Sequence, residues 1–336
     1  MGLRRYLTGK VVWYVGALVV AVILNFLLPR LIPGNPVDVI VSSLGRGGSL
    51  TGEQQAQIYQ AYMSEFGLDQ PMWQQFLTYV GNVLHGNLGE SFSYYPTPVG
   101  NLIGQSLPFT LVLQIPAIIL GWIIGNVVGA LAAYKGGGWD KSVFTASLVF
   151  SSMPYYCLSI LLLFGLAVGA GWFPVGGAYS FGSSPEWSWD FFSDALYYWW
   201  LPFLSLLLVN IGGQATGMRS MAIYELGSDY VNYSRSLGIR ERTVTRYVFS
   251  NAMLPQVTGL ALSIGTMVGG ALVTELVFNY PGMGSLLFSA ISASDYPVIQ
   301  AVTLIITLAV LIANFVVEVL YGFIDPRIRA SKSGEK

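Results

Sequence analysis

The chain has 336 residues, of which 54% are hydrophobic and only 10% are charged, and its formal net charge is −1. A soluble domain carries about 25% charged residues, so this composition predicts a polytopic membrane protein. The small net charge offers no electrostatic basis for binding nucleic acid. One cysteine and one histidine exclude a disulfide framework and most His/Cys metal sites, so we expect no metal centre.

The first apolar segment, 11–28, follows a basic start and precedes LPRLIPGNP, which holds no small-residue cleavage site. We interpret region 1–31 as a cytoplasmic N-terminus and an uncleaved first span. Residues 32–107 then form a polar insertion, with a predicted helix over 51–65, that is too long for a simple connection. We expect this insertion to be folded and extracytoplasmic.

Five further spans are predicted within a transmembrane core, 108–323, each near or above the roughly 20 residues that cross a bilayer. They cover 109–133, 143–170, 199–218, 252–278 and 298–323. Pro116 in the second span and Pro154 in the third should kink their helices, because proline removes a helical hydrogen bond.

Glycines recur every four residues in three of these spans. They are Gly121, Gly125 and Gly129 in the second span, Gly165 and Gly169 in the third, and Gly265 and Gly269 in the fifth. This spacing allows close approach of helix backbones in lipid, although glycine is also simply common in membrane helices.

The positive charges predict the orientation. With the N-terminus inside, fourteen of the sixteen Lys and Arg residues are cytoplasmic, and only Arg30 and Arg46 lie outside, in the insertion. The predicted fold is therefore an all-α integral membrane protein with six transmembrane helices. Both termini are cytoplasmic, and the second ends in a tail, 324–336.

A polar stretch, 228–255, interrupts the apolar core. Tyr230, Ser234 and Leu237 fall at i, i+4 and i+7, which predicts a short helix. Gly238 should end this helix, because glycine adopts the left-handed conformation without a Cβ penalty. Since the helix is too short and polar to span a bilayer, we expect it on the cytoplasmic surface, presenting one face to another molecule.

Polar side chains inside apolar spans often mark a transport path. The candidates are Asn210, Gln214, Gln256, Thr266, Gln300 and Asn314. Hydrogen bonding between helices explains the amides equally well. The spans show no acidic side chains near mid-bilayer for a proton relay, which disfavours an ion-coupled carrier.

The chain carries no recognisable catalytic motif. GGGWDKS at 136–142 lacks the glycine that precedes the lysine of a phosphate loop, and HExxH, CxxC and GxSxG are absent from the sequence. We therefore predict a protein that is not an enzyme, has no catalytic residues and binds no cofactor itself. Energy for uphill transport would come from a partner.

Several segments resemble the permease subunits of peptide-type ABC importers, the binding-protein-dependent class that handles dipeptides, oligopeptides, nickel and some oligosaccharides. The resemblance covers nearly the whole chain. It is carried by PGNPVD at 33–38, GLDQPMWQQFLTYVGNVLHGNLGESF at 67–92, SLPFTLVLQIPAIILG at 106–121, YPGMGSLLFSAISASDYPVIQAVTL at 280–304 and DPRIR at 325–329.

In this resemblance, the stretch 228–255 corresponds to the family's EAA loop, the element that docks into the ATPase subunit, and the cytoplasmic coupling loop covers 219–251. Asn232, Tyr233 and Ser234 stand where the general motif has Glu-Ala-Ala, and Gly238 follows Asn232 by six residues as the motif requires. The implied ATPase contacts are Tyr230, Tyr233, Ser234, Arg235, Leu237, Gly238 and Ile239.

The resemblance implies the type I ABC importer fold, alternating access, and a bacterial or archaeal cell membrane. The implied partners are a second homologous permease subunit, two subunits that hold ATP and Mg, an extracytoplasmic substrate-binding protein, and membrane lipid. Whether the permease pair is a heterodimer or a homodimer stays open. Peptide is the family's default cargo, with oligosaccharide (cellobiose-like) and nickel as alternatives.

Two alternatives remain at this point. The chain could be a stand-alone channel or membrane scaffold, which would need no ATPase. The polar stretch could instead be an interfacial helix that lies on anionic lipid through its arginines.

Overall fold

The computed structural model describes residues 2–31, 35–38, 40–41, 51–183 and 185–324. Within these ranges the regular structure is helical, apart from an isolated bridge between Glu90 and Pro98. The all-α prediction is confirmed for this part of the chain. The segment DPRIR and the tail lie outside the described residues.

The helices are α1 (Gly2–Leu27), α2 (Gly52–Glu65), α3 (Met72–Leu84), α4 (Val99–Lys135), α5 (Gly137–Ser152), α6 (Tyr155–Leu162), α7 (Trp189–Leu226), α8 (Asp229–Ser236), α9 (Glu241–Gly270), α10 (Leu272–Val277), α11 (Met283–Ser292) and α12 (Tyr296–Ile324).

Four helical segments among the described residues are long and apolar enough to cross a membrane. They are Thr8–Leu31, Val99–Lys135, Trp189–Leu226 and Tyr296–Val316. A fifth crossing is formed if the bent pair α5 and α6 counts as one span. These segments confirm a multi-pass membrane protein.

The predicted third span is not a straight helix. Helix α5 ends at Ser152, Pro154 precedes α6, and the two segments are bent by 98°. The last part, Leu163–Gly169, takes a π-helical form. The kink predicted at Pro154 is confirmed, since proline offers no N–H to continue the α-helical ladder. At Pro116, by contrast, α4 continues without a break from Val99 to Lys135.

The predicted fifth span, 252–278, is also interrupted. Helix α9 begins at Glu241 and ends at Gly270, Ala271 leaves the helical conformation with φ −108° and ψ 12°, and α10 follows. The side chains at 265–270, and with them the prediction for Thr266 and the Gly265/Gly269 pair, lie outside the description.

The chain divides into two compact units. The first comprises Met1–Pro108, Met283–Phe315 and Val319–Lys336, and the second comprises Phe109–Gly282 and Val316–Glu318. The first unit therefore combines α1, the insertion and most of α12. Asn25 of α1 donates to the backbone oxygen of Gln300 at 2.7 Å and to the Tyr79 hydroxyl at 3.2 Å.

The insertion contains the predicted helix over 51–65, observed as α2. A capping box at Thr51 stabilises the N-terminus of this helix. Asp295, just before α12, is buried and accepts hydrogen bonds from the end of the insertion. The donors are Ser91 Oγ at 2.5 Å, Phe92 N at 3.1 Å and Ser93 N at 3.0 Å. Burying a carboxylate is costly unless it accepts hydrogen bonds. These bonds therefore fix the end of the insertion to the start of α12.

The second unit is built on close packing of α4 against α7. A Cβ on Gly121 would lie 2.6 Å from the Asn210 Cβ, and a Cβ on Gly129 would lie 2.3 Å from the Ala215 oxygen. Gly125 is equally tight against Gln214. The predicted close approach is confirmed for this stripe, because any side chain there would overlap the neighbouring helix.

The same prediction is wrong for the third span. A Cβ on Gly165 would meet nothing within 4 Å, and one on Gly169 would meet only the Phe164 backbone oxygen. These glycines lie in the π-helical segment Leu163–Gly169, which rotates successive residues differently from the regular helix that the four-residue spacing assumes.

Candidate functional site: the coupling segment

Helix α8 is held against the start of α9 by a small apolar cluster. Val231, Val244 and Val248 are buried together, with Tyr230 and Ile239 packed around them. Burying a valine side chain contributes about 1.5 kcal/mol or more relative to leaving it exposed. An eight-residue helix has little stability of its own, so this cluster determines where α8 lies.

Glu225, at the end of α7, anchors the first turn of α8. Its carboxylate accepts a hydrogen bond from the Tyr230 hydroxyl at 2.7 Å, and its backbone oxygen accepts one from Ser228 Oγ at 2.6 Å. Burial, and then the bond to Glu225, raise the pKa of Tyr230 above its usual value. The hydroxyl therefore keeps its proton and remains a donor at neutral pH.

Gly238 ends the helix in the left-handed conformation, with φ +70°. Its N–H donates to the Arg235 oxygen at 2.9 Å, and the Ile239 N–H donates to the Ser234 oxygen at 3.2 Å. A Cβ at this position would meet nothing within 4 Å, so the backbone conformation rather than the space requires glycine. The predicted stop at Gly238 is confirmed.

An ion pair spans this corner. Arg235 Nη2 lies 2.7 Å from Glu241 Oε1, and the two side chains are 43% and 49% exposed. Such exposed pairs contribute about 0–1 kcal/mol, so this pair adds less to the position of α8 than the valine cluster does.

The two sides of α8 differ in their exposure. Ser234 is only 9% exposed and Tyr230 is half-buried, whereas Tyr233 and Leu237 are 66% and 60% exposed. The helix ends at Ser236, so Leu237 does not continue the i, i+4, i+7 face. Burial of Val231 turns the Tyr230 and Ser234 side of α8 towards α9 and leaves Tyr233 on the outward side.

Of the seven predicted ATPase contacts, the structure therefore exposes four. Tyr233, Arg235, Leu237 and Gly238 are exposed. Tyr230, Ser234 and Ile239 instead hold α8 in place. The role of all seven residues in coupling stays a prediction: the four exposed residues would contact the ATPase, and the other three would position α8.

A second ion pair, which the sequence analysis missed, lies just before this segment. Arg219 Nε and Nη2 donate to the two carboxylate oxygens of Asp140, each at 2.6 Å, and the guanidinium lies 4.1 Å from the centre of the Phe144 ring. The pair is bidentate and mostly buried, with side chains 19% and 14% exposed. It joins α7 to α5. The available signal was the placement of Asp140 and Arg219 on the same predicted side of the membrane.

The predicted path residues are divided between the two units. Asn210, Gln214 and Gln256 belong to the second unit, and Gln300 and Asn314 belong to the first. Asn210 and Gln214 lie against the glycine stripe of α4. Gln300 is 6% exposed. A shared transport path through these side chains stays a prediction.

Two buried amides in α4 were missed. Gln114 and Asn126 are 5% and 1% exposed. Among the described residues, Gln114 Nε2 and Asn126 Oδ1 have no hydrogen-bond partner. Both lie inside an apolar span, which is the signal that identified the other candidates. Buried polar groups in membrane spans concentrate at functional positions, so these two amides join the candidate path residues.

Comparison with known proteins identifies the family of the chain. Residues 125–330 match the family of binding-protein-dependent transport system inner membrane components. This range includes α8 and both ion pairs.

The chain is also similar to curated proteins along most of its length. A di/tripeptide transport system permease protein of Pseudomonas aeruginosa is 35% identical over 324 residues, covering 91% of this chain and 93% of that protein. A dipeptide transport system permease protein of Escherichia coli is 34% identical, covering 92% and 94%. A glutathione transport system permease protein of Escherichia coli is 32% identical, covering 97% and 99%.

These matches confirm the resemblance to ABC importer permeases that the sequence indicated, and they support a bacterial inner membrane rather than an archaeal one. The chain belongs to the family of binding-protein-dependent transport system inner membrane components.

Proposed function

We propose that this chain forms half of the translocation pathway of an ATP-driven importer. It would assemble with a second permease subunit, two ATP-binding subunits and an extracytoplasmic substrate-binding protein. The observation that carries the proposal is a short, rigidly anchored helix, α8, that exposes Tyr233 and Leu237 in a chain of this family. ATP hydrolysis would occur in the partner subunits.

The proposed topology has six crossings with both ends in the cytoplasm. Its support is the distribution of positive charge, because fourteen of sixteen Lys and Arg residues fall on one side in this arrangement. The bent α5–α6 pair would be the third crossing, and α9 with α10 would be the fifth. The insertion, 32–107, would then face the outside.

The anchoring of α8 suggests how force would reach the spans. Val231 joins α8 to α9 through Val244 and Val248, and Arg219 joins α7 to α5 through Asp140. A partner that pulls on Tyr233 and Leu237 would therefore move several helices together rather than unfold one loop. This rigid-body response suits alternating access.

Peptide is the proposed cargo. Its support is the function of the relatives, which are named as di/tripeptide, dipeptide and glutathione transport permeases. Cargo would reach the permease from the substrate-binding protein.

Copurification tests the assembly. The tagged chain, expressed with its neighbouring transport genes, should bring down a second permease and two ATP-binding chains. Tyr233→Ser with Leu237→Ser should release the ATP-binding chains, because exposed aromatic anchors commonly contribute about 2 kcal/mol or more to an interface. Tyr94→Ser is the matched control, since Tyr94 is 55% exposed but lies in the insertion rather than in the coupling loop.

The outcomes separate the proposal from its alternative. A chain that purifies without ATP-binding partners, or that conducts solute passively in proteoliposomes, would indicate a channel or scaffold. Uptake of a labelled dipeptide that requires both ATP and the binding protein would establish the importer.

A further inference from the structure

A groove of about 330 Å³ lies beside the coupling segment, within the second unit. One wall is a stripe of α4 with Val127, Leu131 and Tyr134, and the other is a stripe of α9 with Arg242, Arg246 and Phe249. On each helix these positions recur at three- and four-residue steps, so each stripe is a single helix face. The groove is thus a cleft between α4 and α9, with Ala222 and Leu226 of α7 also in its lining.

The groove changes from polar to apolar along its length. Tyr134 and Arg242 lie near helix ends, since α4 ends at Lys135 and α9 begins at Glu241. Val127 and Phe249 lie about two turns further in, roughly 10 Å at about 1.5 Å per residue. Val127 and Leu131 belong to a membrane-spanning helix and are 44% and 46% exposed.

Among the described residues, the positive charge of Arg242 and Arg246 at the mouth of the groove has no acidic partner. Arg219 and Arg235 are paired with Asp140 and Glu241. In the described part of the chain, no carboxylate lies within ion-pair distance of Arg242 or Arg246. Both arginines are exposed. Two cations one helical turn apart at the mouth of an apolar cleft match one anionic headgroup with an attached acyl chain.

We propose that this groove binds an anionic phospholipid, with its phosphate on Arg242 and Arg246 and an acyl chain against Val127 and Leu131. The site rests on the proposed topology, which places this end of α4 and α9 in the cytoplasmic leaflet. Basic pockets between spans on that side suit anionic headgroups. Because Val248 both lines the groove and packs against Val231 of α8, lipid in the groove supports the helix that we assign to coupling.

A protein partner fits the groove less well. Val127 and Leu131 lie on a membrane-crossing stretch, where a cytoplasmic ATP-binding subunit cannot reach. The exposed face of α8, with Tyr233 and Leu237, already offers a separate surface for that subunit.

Native mass spectrometry of the purified complex tests the site. After delipidation, phosphatidylglycerol and phosphatidylcholine with identical acyl chains are added separately. The double variant Arg242→Gln, Arg246→Gln should bind phosphatidylglycerol about thirtyfold more weakly, taking about 1 kcal/mol for each arginine near the headgroup. Binding of phosphatidylcholine should not change. Arg240→Gln is the matched control, because Arg240 is exposed but does not line the groove.

A second variant tests the apolar part of the site. Ala130→Trp fills the groove without altering its charge and should also reduce phosphatidylglycerol binding, measured only on complexes that retain all their subunits. Unchanged binding in either variant, or an equal loss in Arg240→Gln, would overturn the proposal. So would displacement of the lipid by free glycerol phosphate, which would indicate a soluble phosphate ligand.

Loss of the ATP-binding subunits from the double variant, with lipid binding unchanged, would assign the arginines to a protein interface and overturn the lipid site. Failure of the importer assignment has a different signature. The chain would then lack ATP-binding partners while still binding phosphatidylglycerol through Arg242 and Arg246.

Discussion

Gly238 gives the sharpest test of how α8 transmits motion. Its φ of +70° costs a residue with a Cβ about 1–2 kcal/mol. The space around it is open, so this cost comes from the backbone alone. The cost is comparable to the burial of one valine of the cluster that holds α8. Gly238→Val should therefore shift α8 out of its observed position in a large fraction of molecules.

The assay is ATP hydrolysis and peptide uptake by the whole transporter in proteoliposomes containing the binding protein. We expect peptide transported per ATP hydrolysed to fall at least fivefold in Gly238→Val, while the complex still assembles. Gly238→Asn should retain most of the coupling, because asparagine tolerates the left-handed region better than other residues with a Cβ.

The control is a glycine at the other end of α8. Gly227 has φ −81°, and a Cβ there would meet its nearest neighbour at an ordinary 3.6 Å. Gly227→Ala should transport normally. If Gly238→Val couples as well as Gly227→Ala does, the reasoning about the helix stop is refuted.

Three further predictions concern the framework around α8. Gly129→Ala should destabilise the protein by about 1–3 kcal/mol through overpacking, because the added Cβ would lie 2.3 Å from the Ala215 oxygen. Gly104→Ala on the same helix is the control and should not cause overpacking, because its Cβ would meet nothing within 4 Å. Thermal unfolding in detergent measures both, and equal melting temperatures would contradict the packing account. Asp140→Asn should lower stability by about 1.5–3 kcal/mol, as expected for a charge-assisted pair, and Glu241→Gln by less than about 1 kcal/mol, because the first pair is mostly buried and the second is exposed. The reverse order would be inconsistent with this reading. Asp295→Ala leaves Ser91 Oγ and the Phe92 and Ser93 N–H groups without their acceptor. Limited proteolysis should therefore cut the insertion faster in this variant than in the control variant Asp190→Ala, because Asp190 is exposed. Equal cutting rates would argue against Asp295 as an anchor of the insertion.

Local chemistry in the sequence predicted several features correctly. Gly238 ends its helix because the left-handed conformation is cheap only for glycine, and Pro154 breaks the third span because it lacks an N–H. Thr51 begins a helix that ends at Glu65, as the pattern indicated. In each case the cause lies within a few residues of the effect, so no knowledge of the fold was needed.

Features that depend on distant partners were not predictable in this way. The side of α8 that turns inward is set by Val231 meeting Val244 and Val248, and helical periodicity alone cannot choose between Val231 and the Tyr230–Ser234 line. The pairing of Arg219 with Asp140 joins residues 79 positions apart. Equal glycine spacing gave close packing at Gly121 and open space at Gly165, because the π-helical segment changes the geometry of the second stripe.

The central claim is that the exposed face of α8 docks into a separate ATP-binding subunit. Photo-crosslinking from position 233, with a benzophenone amino acid in place of Tyr233, tests it in intact membranes. The account predicts a crosslink to the ATP-binding subunit from this position and none from Phe181, which is even more exposed than Tyr233 but lies in the loop after the third span. A crosslink from Phe181 instead, or none from position 233 in an assembled transporter, would contradict it.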